Sequence, residues 1–279
     1  MDFGVVVSRS WSPKQIVETA KVADEVGLDS LLITDHYMTP RSNQSVDSWT
    51  MLAALAVETE AIQLGTCVTP ITFRPPPILA KVVATVDQLS NGRAILGVGA
   101  GWNKQEFDAF SSWDDVKVRV AKTREAIELI LKLWLSKGPV DFDGKYYKTK
   151  GAILEPKPIR EPHPPLWFGA GGPYLLKLAK RYAEGWVPPP VLEGPLKDPN
   201  VLAATYKAII RTLKADSNRS GKRPIKVMFN GTLKELQEML PEFERMGFDG
   251  AILAREPPEE MQHAITLLAK DIIPSYRRR

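Results

Sequence analysis

The sequence predicts an α/β chain folded as a single (β/α)8 TIM barrel, and three observations predict it. Segments of strand and helix character alternate about every thirty residues, giving eight units in 279 residues, near the ~250 residues typical of this barrel. The strands within EVGLDSLLI (25–33) and RMGFDGAIL (245–253) are apolar throughout, as in a parallel sheet covered on both faces. Two other strand segments, ILGVGAGWN (95–103) and LWFGAGGPYLL (166–176), run into glycines at their carboxyl ends, where barrels build their sites. An open doubly wound sheet is the competing architecture.

FGVVVS (3–8) is the first strand. Ser12, Pro13 and Gln15 then supply an N-cap, a first-turn proline and a capping-box partner. Ile16, Val17, Ala20 and Ala23 recur at helical spacing until Gly27. SLLIT (30–34) reads as strand and the run through Trp49, Leu52, Leu55 and Ala56 as helix. AIQLGTCV (61–68), ILAKVVATVDQL (78–89), RAILGVG (93–99) and REAIELILKLW (124–134) continue the alternation, the last with Ile127, Ile130, Leu131 and Trp134 on one face. PVDFDGKYYK (139–148) carries Asp143-Gly144 between alternating residues, a β-hairpin signal inserted before the fifth strand. EPKPIREPHPP (155–165) is a stiff connector whose prolines exclude helix.

LWFGA (166–170), helix 174–183, GWVPP (185–189) and helix 201–214 follow, with 188–200 read as a loop. IKVMFN (225–230), helix 233–246, GAILA (250–254) and helix 259–270 complete the count. Pro241 predicts a bend or restart in the helix that contains it. EVGLDSLLI (25–33) and RMGFDGAIL (245–253) share a helix-end, glycine, aspartate, strand pattern, a faint internal repeat.

Composition narrows the function classes. Apolar residues make up 44% and charged residues 25%, the balance of a globular domain. No apolar run reaches the ~18 residues of a membrane helix, and MDFGVVVSRSW lacks a signal-peptide layout, so a cytoplasmic protein is expected. One cysteine, Cys67, and three histidines make a zinc cluster unexpected, and no metal site is expected. The net charge of +4 suits an anionic small molecule, with no zinc-finger or RNA-binding signature to point to nucleic acid. Arg277, Arg278 and Arg279 read as a solvated tail.

Three strand ends carry the candidate chemistry. Asp35 and His36 follow the second strand directly and are the chain's one adjacent acid–imidazole pair. A hydrogen bond from the imidazole to Asp35 is expected to fix the tautomer and raise the imidazole pKa. Gly97, Gly99 and Gly101 are spaced G-x-G-x-G, not the G-x-G-x-x-G of a Rossmann turn, and Trp102 after them offers an aromatic wall. Gly169, Ala170, Gly171 and Gly172 precede Pro173 and a helix, the makings of a phosphate site at a helix N-terminus. Glycines at these ends are expected to let a ligand approach backbone N–H groups. Catalytic lysines or metal-binding carboxylates of an aldolase or isomerase barrel are not evident.

Together, ADEVGLDSLLITDHY (23–37), the run from Trp49 to Phe107, and PHPPLWFGAGGPYLLKLAKRYAEGWV (162–187) resemble the bacterial luciferase-like monooxygenase superfamily, in its branch using deazaflavin coenzyme F420. The resemblance covers about the first two-thirds of the chain. It implies a barrel with the flavin-like ring in its mouth, a non-prolyl cis peptide at Cys67–Val68 behind the ring, and cofactor contacts from Thr66, Cys67 and Val68. It further implies that Asp35 and His36 contact the deazaflavin and its substrate. Ala100, Gly101 and Trp102 would line the ring, and the 169–172 loop would hold the phosphate. Sugar-phosphate dehydrogenases of this branch carry glutamate where Trp102 stands and tryptophan where Pro40 stands, which argues against that substrate. Glu106, one helical turn further on, is not read as a catalyst.

The resemblance thus implies an oxidoreductase passing a hydride between F420 and a small organic substrate, with His36, Asp35 and Trp102 as catalytic residues. An FMN-dependent monooxygenase using reduced flavin and oxygen, or a non-catalytic flavin-binding relative, is the alternative. Family habit and the apolar helices 49–59 and 78–89 suggest a homodimer. Pocket walls are expected from 37–46 and 188–200.

Overall fold

The computed structural model describes residues 1–40, 42–188, 199–217 and 225–277. Its centre is a closed barrel of eight parallel strands in the order β1 (Asp2–Val7), β2 (Ser30–Ile33), β3 (Gln63–Thr66), β5 (Ala94–Gly99), β8 (Leu166–Phe168), β9 (Gly185–Trp186), β10 (Lys226–Gly231) and β11 (Gly250–Leu253). A short strand β4 (Thr69–Pro70) continues β3 along β5. Closure is set where Leu64 faces Ala94 and where Asp2 faces Gly250. Helices α1 (Pro13–Glu25), α2 (Ser48–Glu58), α3 (Pro76–Leu89), α5 (Val116–Leu135), α6 (Pro173–Tyr182), α7 (Pro199–Ser217), α8 (Leu233–Met246) and α9 (Pro258–Leu267) connect successive strands and follow the last. The barrel is the predicted architecture, and the open sheet is ruled out.

Why these residues fold this way is visible in the two cores. Alternate strand residues face opposite ways. Leu31 and Ile33 join the large cluster shared with the helices, while Leu32 joins a separate one with Ile95, Trp167, Val187, Met228 and Ile252. That second cluster draws on five strands and the residue after β9, and fills the barrel's interior. Cys67 and Val6 pack against it, so the inner core supports the residues of the mouth.

Local signals are honoured. Ser12 and Gln15 close the capping box of α1, and Thr232 and Glu235 close that of α8. The hairpin of β6 (Val140–Asp143) and β7 (Lys148–Ala152) lies before β8, docked on Glu125, whose carboxylate accepts the N–H groups of Lys145, Tyr146 and Tyr147.

Three expectations are corrected. Helix α8 runs unbroken through Pro241, so it does not restart there. Arg277 is exposed but not part of a free tail: its guanidinium donates to the Gly27 carbonyl and the Asp29 carboxylate, both at 2.8 Å. Arg278 and Arg279 lie outside the described residues. The last helix also extends beyond 270, through a π-helical turn (Leu268–Ile272) into α10 (Ile273–Arg277). A short helix that the periodicity did not reveal, α4 (Lys104–Phe110), follows β5 and matters to the site.

Candidate active site

A cavity of about 630 Å³ opens at the carboxyl ends of the barrel strands, within the size range of small-molecule and cofactor sites. Strand β2 delivers His36 to it, the β3–β4 turn Cys67 and Val68, β5 the run from Gly99 to Trp102, and β8 Gly169, Gly171 and Gly172. Three strand ends singled out for their chemistry, and the Cys67–Val68 turn that the resemblance implied, therefore meet at one mouth. Asp35, Thr66 and Ala170 do not line the cavity; each is buried, at 2%, 0% and 0% exposure. Of the loop expected to wall the pocket, 189–198 lies outside the described residues, as does Arg41.

The imidazole is held by a residue that the sequence reading set aside. His36 Nδ1 lies 2.8 Å from Glu106 Oε2, while Glu106 Oε1 accepts the backbone N–H groups of Tyr37 and Met38. Glu106 is completely buried in the first turn of α4. A carboxylate can only accept, so Nδ1 carries the hydrogen and Nε2 is left as the free ring nitrogen. Ser45 donates to the His36 carbonyl, and Trp102 meets the imidazole edge-on at 5.4 Å between ring centroids. Trp102 remains 64% exposed at the mouth.

The expected Asp35–His36 hydrogen bond is corrected. Asp35 turns away and accepts from Arg74 at 2.8 and 3.2 Å and from the Thr69 hydroxyl at 2.7 Å. The reason is spatial: neighbouring residues leaving a strand point to opposite sides, so the side chain beside His36 in sequence is not beside it in space.

The strand-end glycines also serve packing. A Cβ on Gly97 would lie 1.8 Å from the Thr66 carbonyl oxygen, and one on Gly101, where φ is +79°, 2.2 Å from the Phe107 ring. On Gly99 and Gly169 it would strike the Val68 side chain at 2.6 and 2.9 Å. These glycines make room for protein atoms, with Gly99 and Gly169 seating Val68, while Gly99, Gly101 and Gly169 also line the cavity. Gly172 differs: nothing lies within 4 Å of its would-be Cβ.

The peptide Cys67–Val68 is cis. Burial pushes the Cys67 thiol up to about 12, so little of it is thiolate at neutral pH.

Two features give the cavity a positive end. Gly172 caps α6 without a side-chain bond and Pro173 occupies the first turn, with Tyr174 and Leu175 on the cavity wall. The first N–H groups of a helix have no intrahelical acceptor and favour anions. Arg119 of α5 lines the same cavity, only 7% exposed, stacked over Trp113 at 3.7 Å with Nη1 donating to the Asp114 carbonyl. Its Nε is buried without a partner. Burial draws the guanidinium below its ordinary value, against the opposing charges of Asp115 and Asp114. Sequence reasoning missed Arg119, although a signal existed: it lies four and eight residues before Thr123 and Ile127, on the buried stripe of the helix. Glu106 had a weaker one, a carboxylate in the turn that follows a strand-end loop. Opposite, Asn230 lines the cavity, its side chain held between the Pro188 carbonyl and Arg255.

Residues 1–233 match the family model described as luciferase-like monooxygenase. The chain belongs to that family. Among curated relatives of this luciferase-like chain, an F420-dependent glucose-6-phosphate dehydrogenase of Amycolatopsis mediterranei is 38% identical over 184 residues, covering 64% of this chain and 54% of the relative. The same enzyme of Nocardia farcinica is 37% identical over 185 residues, with the same coverage. The chain thus spans about half the length of the curated relatives it matches. Solved structures of similar fold include the monooxygenase RslO1 of Streptomyces bottropensis, at TM-score 0.82 and 20% identity over 99% of this chain and 100% of that one. An F420-dependent secondary alcohol dehydrogenase bound to an F420–acetone adduct superposes at 0.81 with 22% identity, over 98% of each chain. The F420-dependent tetrahydromethanopterin reductase of Methanopyrus kandleri superposes at 0.79 with 20% identity, over 99% of each.

Proposed function

We propose that this luciferase-like protein is an F420-dependent oxidoreductase acting on a small organic substrate. The observation that carries the proposal is a cavity with a positive rim at one side and the Glu106-oriented imidazole of His36 at another. The names of the curated relatives support the choice of cofactor. The residues fit such a group. The buried, unpartnered Nε of Arg119 and the open N-terminus of α6 suit its phosphate, while Val68, Ala100 and Gly101 offer an apolar seat for its ring.

When bound, the deazaflavin supplies a carbon that accepts or donates a hydride. The chain's own residues do the rest. His36, with Nδ1 committed to Glu106, presents Nε2 to a substrate oxygen and takes up or returns its proton as the hydride moves. Trp102 covers the imidazole from the solvent side, and Cys67 and Val68 close the floor. Asp35 is assigned no contact with cofactor or substrate, because its oxygens are already engaged.

The wall near His36 carries Trp102 and Pro70 and, among the described residues, no lysine lines the cavity. This supports an uncharged substrate over a sugar phosphate. Among the described residues no helix is long and apolar enough to cross a membrane. Val57 of α2 and Ile78 and Leu89 of α3 are exposed, and we infer homodimer pairing there, to be read from light scattering.

The test is titration of purified protein with F420 and, separately, FMN, followed by fluorescence. Micromolar or tighter F420 binding with hydride exchange on an alcohol–ketone panel is expected. Preference for FMN with oxygen uptake would overturn the proposal.

A further inference from the structure

Arg74 touches neither the cavity nor its free side chains, yet two segments of the cavity wall hang from it. It lies in the loop before α3, its side chain only 12% exposed. Its guanidinium donates to both oxygens of Asp35, and Nη2 also to Asp47 at 2.8 Å. It stacks 5.2 Å over the Tyr37 ring. Asp35 accepts from Thr69 Oγ1, which accepts in turn from Trp49 Nε1 at 3.0 Å. The Thr69 hydroxyl has one hydrogen, already given to Asp35. At the 3.0 Å Thr66–Thr69 contact, Thr66 is therefore the donor.

The consequence follows from chain order. Asp35 immediately precedes His36, and Thr66 and Thr69 bracket Cys67 and Val68. We propose that Arg74 is a positioning residue, the buried strut that fixes the His36 loop and the Cys67–Val68 turn relative to each other. A planar guanidinium suits this because it can bond both carboxylate oxygens of Asp35 and still reach Asp47, which an ammonium cannot. The inference rests on His36 and Cys67–Val68 lining the cavity, not on which cofactor enters it.

The test therefore uses the protein without cofactor. Cys67 is the chain's one cysteine and His36 one of three histidines, so each wall segment has its own reporter. The first readout is the rate at which an aromatic disulfide reagent modifies Cys67. The second is the position of the His36 imidazole resonance, assigned with His36→Gln. In folded Arg74→Met, modification should accelerate on the order of tenfold through local opening, and the His36 resonance should move. Arg74→Lys should fall between it and the parent. Arg93→Met is the control: Arg93 ties β5 to the carbonyls of Ala56, Thr59 and Ile62 at the barrel's other end. Its loss should lower the melting temperature without either local change. If folded Arg74→Met leaves both reporters at parental values, or Arg93→Met moves them equally, Arg74 serves stability alone and the proposal fails. Should Arg74→Met not fold, Arg74→Lys decides, and parental behaviour there overturns the idea. Failure of F420 to bind leaves this result standing, since neither reporter needs it.

Discussion

His36 and Glu106, seventy residues apart in the chain, meet at 2.8 Å between Nδ1 and Oε2. The pairing depends on α4, whose first turn carries Glu106 under the loop that leaves β2. Glu106→Gln keeps the size and can still accept from the Tyr37 and Met38 backbones, but it then turns an amide donor toward Nδ1. The imidazole must switch tautomer and present Nε2–H to the cavity. Turnover should fall on the order of a hundredfold, as for His36→Ala, with cofactor affinity within about twofold of the parent. Nitrogen NMR of the ring reads the tautomer directly; an unchanged tautomer with unchanged turnover would remove Glu106 from the mechanism.

Arg119 brings a second, separable prediction. Its side chain and the N-terminus of α6 line one cavity, and a charge-assisted hydrogen bond there is worth about 1.5–3 kcal/mol. Arg119→Met keeps much of the stem packed against Trp113 and removes the charge. F420 binding should weaken about tenfold to a hundredfold, whereas the deazaflavin riboside without phosphate should bind as before. Equal losses for both ligands would place Arg119 away from the phosphate.

What could be read beforehand, and what could not, divides along a physical line. Strands such as SLLI and AILGVG were legible because apolar runs and their caps are local properties of the chain. His36 and Trp102 were legible as residues of the mouth because a strand end fixes where they emerge. Glu106 and Arg74 were not, because barrel closure chooses partners across tens of residues, and no spacing rule encodes which carboxylate meets which cation. The glycines carried a requirement that the sequence did not display. Gly97, Gly99 and Gly101 suggested ligand approach, and Thr66, Val68 and Phe107 show that packing demands them too, since each lies where a Cβ would stand.

Acid stability gives a test of the α1 end of the fold. Burial alone would raise the Asp24 carboxyl, but the N–H groups of Glu60, Ile62 and Ala61 outweigh it and hold it below the usual carboxylate range. A depressed folded value contributes stability that is complete above the unfolded pKa, ~4, and is lost as pH falls through the folded value. The group is half-buried, and solvent screening holds the effect to about 1 kcal/mol. Asp24→Ala should therefore melt roughly 2–4 °C lower at pH 7, and the gap should close below about pH 4. A gap independent of pH between 7 and 3 would show that the carboxylate charge is irrelevant.

Gly101 and Gly172 should respond in opposite ways to the same methyl group. At Gly101 an alanine must adopt φ +79° and drive its Cβ to within 2.2 Å of the Phe107 ring. Phe107 is itself buried, 4.2 Å from the Phe73 ring between centroids, and follows Glu106 in α4. The ring cannot retreat without moving the carboxylate that holds His36. Gly101→Ala should thus cost about 1–3 kcal/mol of stability and lower turnover with it. At Gly172, φ is −87° and the space is empty, so Gly172→Ala should fold with a melting temperature close to the parent. Its methyl group projects where a phosphate would meet the first turn of α6, and F420 affinity should drop several-fold while the riboside is unaffected. Thermal melts and fluorescence titrations of the two variants separate a glycine required by packing from one required by the ligand. Parental F420 affinity in Gly172→Ala would move the phosphate away from α6.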